Sequence, residues 1–273
     1  MVTAVNTLSA LVLLIIQSPD DRARAVVDRI AFPKADQVKT WADKGPEYKN
    51  VLDIVLKRET WRSAVKFVEE NLAPIADDWK IEVSLSEWEG NHPAEGERKG
   101  TTAPVKFNMK RLSAYELKMI DYRRQAEELK KKGKRLDWKV PPLKYDRLIV
   151  HELVHVVQGE YASPEWFREG IASWAGADPN YVMAYLYNNE EVKDVESPLE
   201  GDDLYGRSQI FMLWLEKRWG REIFKKTVKA TILDGAEVKE ALSKLLGMTW
   251  ENIAAEERTW TTQYGKNHRP KKD

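Results

Sequence analysis

Residues 151–174 read HELVHVVQGEYASPEWFREGIASW. Their first part belongs to a predicted buried helix over 145–159, since apolar side chains surround two histidines and Gly159 is a natural helix stop. His151 and His155 are four residues apart, and side chains at that spacing lie on one face of an α-helix. The stretch therefore predicts two imidazoles side by side on a buried helix.

The pattern His-Glu-x-x-His is typical of metal-binding helices in hydrolases. Both imidazoles can reach a single ion, whereas Glu152 lies one step round the helix and cannot easily share it. Glu152 can instead lie beside a water molecule held by the metal, which is the position of a general base. The alternative is a structural helical protein in which the motif is accidental and the two histidines are hydrogen-bonded near a core.

A second predicted helix supplies a third candidate ligand. It begins near a Ser-Pro-Glu sequence suited to a first turn, and it carries Glu169 followed by Gly170, which would allow close approach where the two helices cross. Two neutral histidines and one carboxylate are a ligand set of catalytic zinc, with one open position and a bound water of pKa about 7. We expect His151, His155 and Glu169 to bind one catalytic Zn²⁺. The alternative for Glu169 is a helix-surface carboxylate paired with Arg168.

The composition limits which side chains can bind a metal and which classes of partner are expected. The chain has no cysteine, which excludes disulfides, thiolate zinc sites and cysteine nucleophiles. Its 44 basic and 44 acidic residues cancel, so no global field favours nucleic acid, which is not an expected partner. The chain has four histidines. We predict that His92, in a loop, and His268, in a polar C-terminal segment, are not ligands.

An apolar segment at the N-terminus predicts export. Residues 1–19 carry no charged side chain, and the run 8–16 has the length of a signal-peptide core, too short to span a bilayer comfortably. We expect residues 1–19 to be a signal peptide and the protein to be periplasmic or extracellular. The alternative is a buried N-terminal helix or strand in a cytoplasmic protein. Beyond this possible signal, no segment is expected to be integral to a membrane.

The remaining sequence predicts an α+β, mostly helical fold in two lobes. The N-terminal lobe, about 20–143, includes two alternating runs, 81–88 and 105–110, that predict the strands of a small sheet. A helical lobe follows over about 144–260, and the metal cleft is expected between the lobes. Residues 261–273 are polar and without periodicity, which predicts a flexible tail.

The two central segments together resemble a known family. His151-Glu152-x-x-His155 followed by Pro164-Glu165-Trp166-Phe167-Arg168-Glu169-Gly170-Ile171-Ala172 looks like the gluzincin branch of zinc metallopeptidases, in particular the peptidase MA-like families with a PxWxxEGxA segment. The resemblance covers about residues 147–220. It implies a thermolysin-like zincin fold, a zinc site completed by Glu169, water activation by Glu152, and a sheet edge that binds extended peptide. A zinc-dependent peptidase acting on peptide or protein substrates is therefore expected.

The resemblance also bears on three further positions. In similar families a tyrosine or histidine from the C-terminal lobe donates to the oxyanion of the tetrahedral intermediate; Tyr205 is the candidate here, and Arg207 is an alternative. Many thermolysin-like gluzincins have an aspartate four residues after the third ligand that orients a histidine, where this chain has Ser173. A serine raises ligand basicity less than a carboxylate does. The alternative function is therefore a catalytically weak or inactive gluzincin-like module that binds zinc as a scaffold.

Overall fold

A computed structural model describes residues 18–90, 92–133 and 144–269, and the chain is mostly helical with one small sheet. This confirms the α+β, mostly helical fold class. The strands are β1 (Lys80–Ser86), β2 (Ala94–Gly96) and β3 (Thr102–Asn108). The helices are α1 (Pro19–Asp28), α2 (Ala35–Ala42), α3 (Pro46–Val55), α4 (Arg58–Asn71), α5 (Met109–Lys131), α6 (Tyr145–Gln158), α7 (Glu165–Gly176), α8 (Pro179–Asn188), α9 (Gly201–Trp219), α10 (Glu222–Val228), a π-helical segment (Lys229–Leu233), α11 (Val238–Leu246) and α12 (Trp250–His268).

The predicted signal peptide falls largely outside this description, because residues 1–17 are not among the described residues. Ser18 is the N-cap of α1 and accepts a hydrogen bond from the backbone N–H of Asp21 at 3.1 Å, and Pro19 is the first residue of the helix. The predicted lobe boundary near residue 143 also lies outside the described residues. Within the described ranges, no helix is both long and apolar enough to cross a lipid bilayer.

The sheet has the strand order β1-β3-β2. β1 and β3 pair in parallel, whereas the short β2 pairs antiparallel with β3. Buried side chains alternate along the inner parts of β1 and β3, and the two predicted strands are confirmed as partners. The second strand ends at Asn108 rather than at residue 110, because the Asn108 side chain accepts a hydrogen bond from the N–H of Arg111 and caps α5.

The fold is built around α6. Its apolar residues belong to one continuous hydrophobic cluster with members from Ala23 to Ile253. α6 packs against α3, α4, α7, β2 and β3, so elements from both parts of the chain cover it. Gly159, at positive φ, forms its C-cap, which confirms the predicted helix and its stop. A helix enclosed in this way directs its polar side chains into a site lined by protein.

Gly170 makes a different contact from the one predicted. A Cβ at Gly170 would lie 3.1 Å from both the Cβ and the carbonyl oxygen of Ser208, so this glycine brings α7 close to α9. The close approach of α7 to α6 is at Gly176, where a Cβ would lie 3.4 Å from the Cβ of His151. The prediction for Gly170 is wrong because adjacent helix residues point about 100° apart. Glu169 faces α6, and the next residue therefore faces α9.

Residues 261–268 form the last turns of α12, so the predicted flexible tail is wrong for this segment. Thr261 is fully buried. Arg269 donates hydrogen bonds to the backbone carbonyls of Leu186 and Asn189 at 3.1 and 2.9 Å. Polar side chains and backbone acceptors anchor the helix end on α8, which explains why no apolar periodicity marks it.

Candidate metal centre

α6 places the two predicted imidazoles on one face. The Nε2 atoms of His151 and His155 are 3.1 Å apart, and the ring centroids are 4.8 Å apart with planes at 75°. Both side chains are largely buried, with 13% and 9% of their surface exposed. The four-residue spacing therefore produces the predicted pair, with one nitrogen of each ring facing the other ring.

Glu169, on α7, faces this pair. Its Oε2 lies 3.5 Å from His151 Nε2 and 3.4 Å from His155 Nε2. In the ligand cluster of His151, His155 and Glu169, one ligand atom from each residue lies within 4.8 Å of the others. Within the described part of the chain, Glu169 Oε2 is buried and accepts no hydrogen bond. The three predicted ligands are thus together, and the buried carboxylate oxygen faces the two imidazoles without a hydrogen bond of ordinary geometry.

Gln158 fixes the tautomer of His155. The Gln158 side chain is buried, and its Nε2 donates to the carbonyl oxygen of Arg168 at 2.9 Å. Its Oε1 must therefore be the acceptor that lies 2.8 Å from His155 Nδ1, which assigns a proton to Nδ1. The Nε2 of a neutral His155 then presents its lone pair to His151 and Glu169. This is the tautomer that a metal ligand needs.

The electrostatics of the ligand cluster favour a cation. Burial disfavours an imidazolium, but the Glu169 carboxylate outweighs burial and raises the pKa of His155 to about 9. Burial also disfavours charge on Glu169, yet the two imidazoles hold the pKa of its carboxyl well below its usual range. Two imidazole nitrogens and one carboxylate oxygen that converge in this way are a donor set of catalytic zinc. The residues present therefore fit a zinc ion.

Glu152 lies beside the ligand cluster on α6 and is buried. Burial raises the pKa of its carboxyl, although His151, His155 and a hydrogen bond from the N–H of Gly96 act in the opposite direction. Gly96 belongs to β2, and a Cβ at this position would overlap the main-chain carbonyl of Glu152. Only glycine lets the sheet come this close to α6. The sequence gives no sign of this contact, since one glycine in a short strand carries no motif.

Tyr205, the predicted oxyanion donor, reaches the same site from α9. Its ring centroid is 6.2 Å from that of His151 and 4.9 Å from that of Tyr181. Burial, with the carboxylates of Glu169 and Glu152, raises the pKa of the Tyr205 phenol. A phenol that keeps its proton remains a neutral hydrogen-bond donor, as stabilisation of an oxyanion requires. The structure therefore brings Tyr205 beside the ligand cluster, and its role as an oxyanion donor remains a prediction.

Two other residues differ from their predicted roles. Arg207 is buried, and its guanidinium binds both carboxylate oxygens of Glu257 at 2.8 and 2.6 Å, so Arg207 as an oxyanion donor is wrong. Ser173 is buried, and its Oγ has no hydrogen-bond partner among the described residues. Gln158 orients a histidine instead. Its only sequence signal is a polar position three residues after His155 on an apolar helix.

The two histidines predicted not to bind metal lie outside the ligand cluster. His268 ends α12, with its Nδ1 2.9 Å from the carbonyl oxygen of Tyr264. His92 lies in the loop between β1 and β2, and its Nδ1 is 3.4 Å from the phenolic oxygen of Tyr205. His92 is exposed, as expected of a loop residue, and it lies beside the candidate site.

Comparisons with known proteins neither support nor contradict the resemblance to gluzincins. No family profile, curated protein or solved structure matches the chain. The likeness to gluzincins therefore rests on the motifs within residues 151–172. The zincin fold remains a prediction.

Proposed function

We propose that the chain is a zinc-dependent peptidase with a two-lobed, zincin-type fold. The observation that carries the proposal is the convergence of ligand atoms from His151, His155 and Glu169 within 4.8 Å, with the buried Glu152 beside them. Two imidazoles and one carboxylate leave zinc with a net positive charge and an open position, which is the pattern of catalytic sites. Hydrolysis of a peptide or related amide bond is the reaction that this arrangement supports best.

Each residue has a distinct role in the proposed reaction. A bound zinc ion supplies Lewis acidity, which polarises a carbonyl group and lowers the pKa of water. Glu152 takes a proton from the attacking water and passes it to the leaving amine. Tyr205 donates its phenolic hydrogen to the oxygen on which negative charge develops. Gln158 holds His155 in the tautomer that directs Nε2 into the ligand cluster.

The position of β2 supports an extended peptide as substrate. β2 is at the edge of the sheet, since β3 is its partner in the part of the chain that the structure describes. Edge strands present backbone N–H and C=O groups that can bind an extended chain. At Gly96, β2 lies against α6 beside Glu152. A peptide added along this edge would therefore pass close to the proposed general base.

Metal analysis and peptide hydrolysis test the proposal together. We expect the purified protein to hold about one zinc ion per chain. Glu152→Gln should keep the zinc and lose activity on a peptide library by roughly 10²- to 10⁴-fold. Glu160→Gln is the matched control, because Glu160 is an exposed carboxylate just after the same helix. Absence of stoichiometric zinc, or equal activity in Glu152→Gln, would contradict the proposal.

A zinc-binding scaffold without turnover is the second candidate. It is favoured by Ser173, whose Oγ makes no hydrogen bond in the described structure, and by the neutral amide at His155 Nδ1. A neutral acceptor raises the basicity of an imidazole less than a carboxylate does. The buried Glu152 favours the peptidase. One equivalent of bound zinc without hydrolysis across a broad peptide library would select the scaffold.

A further inference from the structure

A histidine from the N-terminal part of the chain contacts the proposed oxyanion donor. His92 Nδ1 lies 3.4 Å from the phenolic oxygen of Tyr205, which follows 113 residues later. The two rings are edge to face, with centroids 6.5 Å apart and planes at 80°. Tyr205 therefore has ring contacts with both His92 and, at 6.2 Å, His151 of the ligand cluster.

One buried residue holds the loop that carries His92. Asn108 is almost fully buried, and its Nδ2 donates to the carbonyl oxygens of Trp88 and His92 at 3.0 and 3.4 Å. The backbone N–H of Asn108 also donates to the carbonyl oxygen of Pro93 at 2.9 Å. Three hydrogen bonds from the end of β3 thus fix the backbone on both sides of His92.

The ring of Tyr205 is held from another direction. It lies against the ring of Tyr181, with centroids 4.9 Å apart and planes at 36°. A Cβ at Gly206 would overlap the main-chain carbonyl of Tyr181, so α8 and α9 are in close contact beside Tyr205. His92 itself is exposed, so its imidazole is placed by the loop backbone and by the contact with Tyr205. The direction of the phenolic O–H then depends on the group that forms a hydrogen bond with its oxygen.

We propose that His92 is a positioning residue: its Nδ1–H donates to the Tyr205 oxygen and turns the phenolic hydrogen towards the oxyanion. This inference rests on the proposed peptidase function. A hydroxyl group has one hydrogen and two lone pairs. When its oxygen accepts from His92, its own hydrogen is free to bond with the substrate. Linked hydrogen bonds also polarise one another, so the bond from His92 makes Tyr205 a stronger donor.

Nitrogen-15 NMR of the histidine rings in the zinc-loaded protein tests this hydrogen bond without substrate. We expect His92 to be the Nδ1–H tautomer, with resonances that move in Tyr205→Phe and vanish in His92→Ala. The ring of His268, on α12, is the internal control, and its resonances should stay the same. An Nε2–H tautomer for His92, or no response to Tyr205→Phe, would overturn the inference.

Kinetics test whether His92 acts through Tyr205. His92→Ala should lower kcat roughly three- to tenfold with little change in KM, the size of one hydrogen bond. It should cause no further loss when added to Tyr205→Phe, because the two residues form one unit. His92→Asn should recover part of kcat, since its amide N–H can replace Nδ1–H. His268→Ala should match the wild type.

The outcomes separate this inference from the proposed function. Loss of zinc in His92→Ala would make His92 a ligand and overturn the positioning role. A further loss on adding His92→Ala to Tyr205→Phe would overturn it as well. If the zinc-loaded wild type hydrolyses no peptide, the peptidase proposal fails. The NMR result then decides by itself whether His92 directs the Tyr205 hydroxyl.

Discussion

Two buried clusters of charge in this protein are built in opposite ways. Arg207 on α9 and Glu257 on α12 are 1% and 2% exposed, and two guanidinium nitrogens bind the two carboxylate oxygens. Arg207 Nε also donates to the carbonyl oxygen of Lys193 at 2.7 Å, and the Thr261 hydroxyl donates to Glu257. In the ligand cluster, by contrast, the buried Oε2 of Glu169 accepts no hydrogen bond from any described residue.

The difference distinguishes a structural contact from a binding site. The Arg207–Glu257 pair is complete within the chain, and it fixes α9 against α12 two residues from Tyr205. The ligand cluster is incomplete, because removing a carboxylate from water costs free energy that hydrogen bonds normally offset. A zinc ion offsets that cost in our proposal. We call the Arg207–Glu257 pair the closed pair and the ligand cluster the open cluster. The closed pair should therefore stabilise the fold in all conditions, whereas the open cluster should stabilise it only when metal is present.

The largest effect is expected from breaking the closed pair. Glu257→Gln leaves the buried Arg207 guanidinium without a charged partner, and it should lower the free energy of unfolding by about 3–5 kcal/mol. The neighbouring residue gives a matched control. Glu256 pairs with Arg218 across the same two helices at 3.0 Å, but these side chains are 37% and 60% exposed. Glu256→Gln should cost less than about 1 kcal/mol, and equal losses in urea unfolding would contradict the comparison.

Filling the open cluster is expected to have the next largest effect. Zinc at about a hundredfold excess over its dissociation constant should raise the free energy of unfolding by about 3 kcal/mol. Glu169→Gln should keep the helical circular dichroism spectrum and lose most of this gain. Glu165→Gln, which changes an exposed carboxylate on the same helix, should retain it. Thermal unfolding after chelation, with and without added zinc, measures the gain, and an equal gain in Glu169→Gln would exclude Glu169 as a ligand.

A smaller effect is expected from the residue that orients His155. Gln158→Leu removes the acceptor of the Nδ1 proton while keeping most of the side-chain volume. Zinc affinity should fall roughly 10- to 100-fold, as it does when such outer hydrogen bonds are lost at other metal sites. Gln125→Leu, on the exposed surface of α5, should leave the affinity unchanged. Titration with a competing chelator measures the affinity, and an unchanged value in Gln158→Leu would show that the bond does not support the ligand.

The open cluster is the part of the site that the sequence predicts best. The helical repeat alone fixes the relative positions of His151, Glu152 and His155 within little more than one turn. Glu169 comes from another helix, but its motif lies close in sequence. Gln158 lies on α6 as well, yet its role depends on the carbonyl of Arg168 and could not be read from spacing.

Contacts between distant elements account for what the sequence did not predict. His92 reaches Tyr205 from 113 residues away, and the path depends on how Asn108 holds the loop. Gly96 acts through the absence of a side chain, which no motif records. β2 has three residues and the end of α12 is anchored by polar groups, so neither shows the apolar periodicity from which strands and helices are predicted.

The smallest effect is expected at an exposed charge cluster, a third case beside the two buried ones. Asp77 is 69% exposed and accepts hydrogen bonds from Arg22 and Arg29, each at 2.6 Å. These bonds, from Arg29 and then Arg22, hold the pKa of the Asp77 carboxyl below its ordinary value. With a depressed folded-state pKa, the stabilisation is present above the unfolded-state pKa of about 3.9 and is lost as the pH falls through the folded-state value.

Asp77→Asn should therefore lower the free energy of unfolding by less than about 1 kcal/mol at neutral pH, because water screens the pair. The difference from the wild type should shrink below about pH 4 and also in high salt. Urea unfolding of both proteins across this pH range measures it. A loss as large as that in Glu257→Gln, or one that grows in acid, would mean that burial is not what sets the closed pair apart. The contrast between the closed pair and the open cluster would then need a different physical basis.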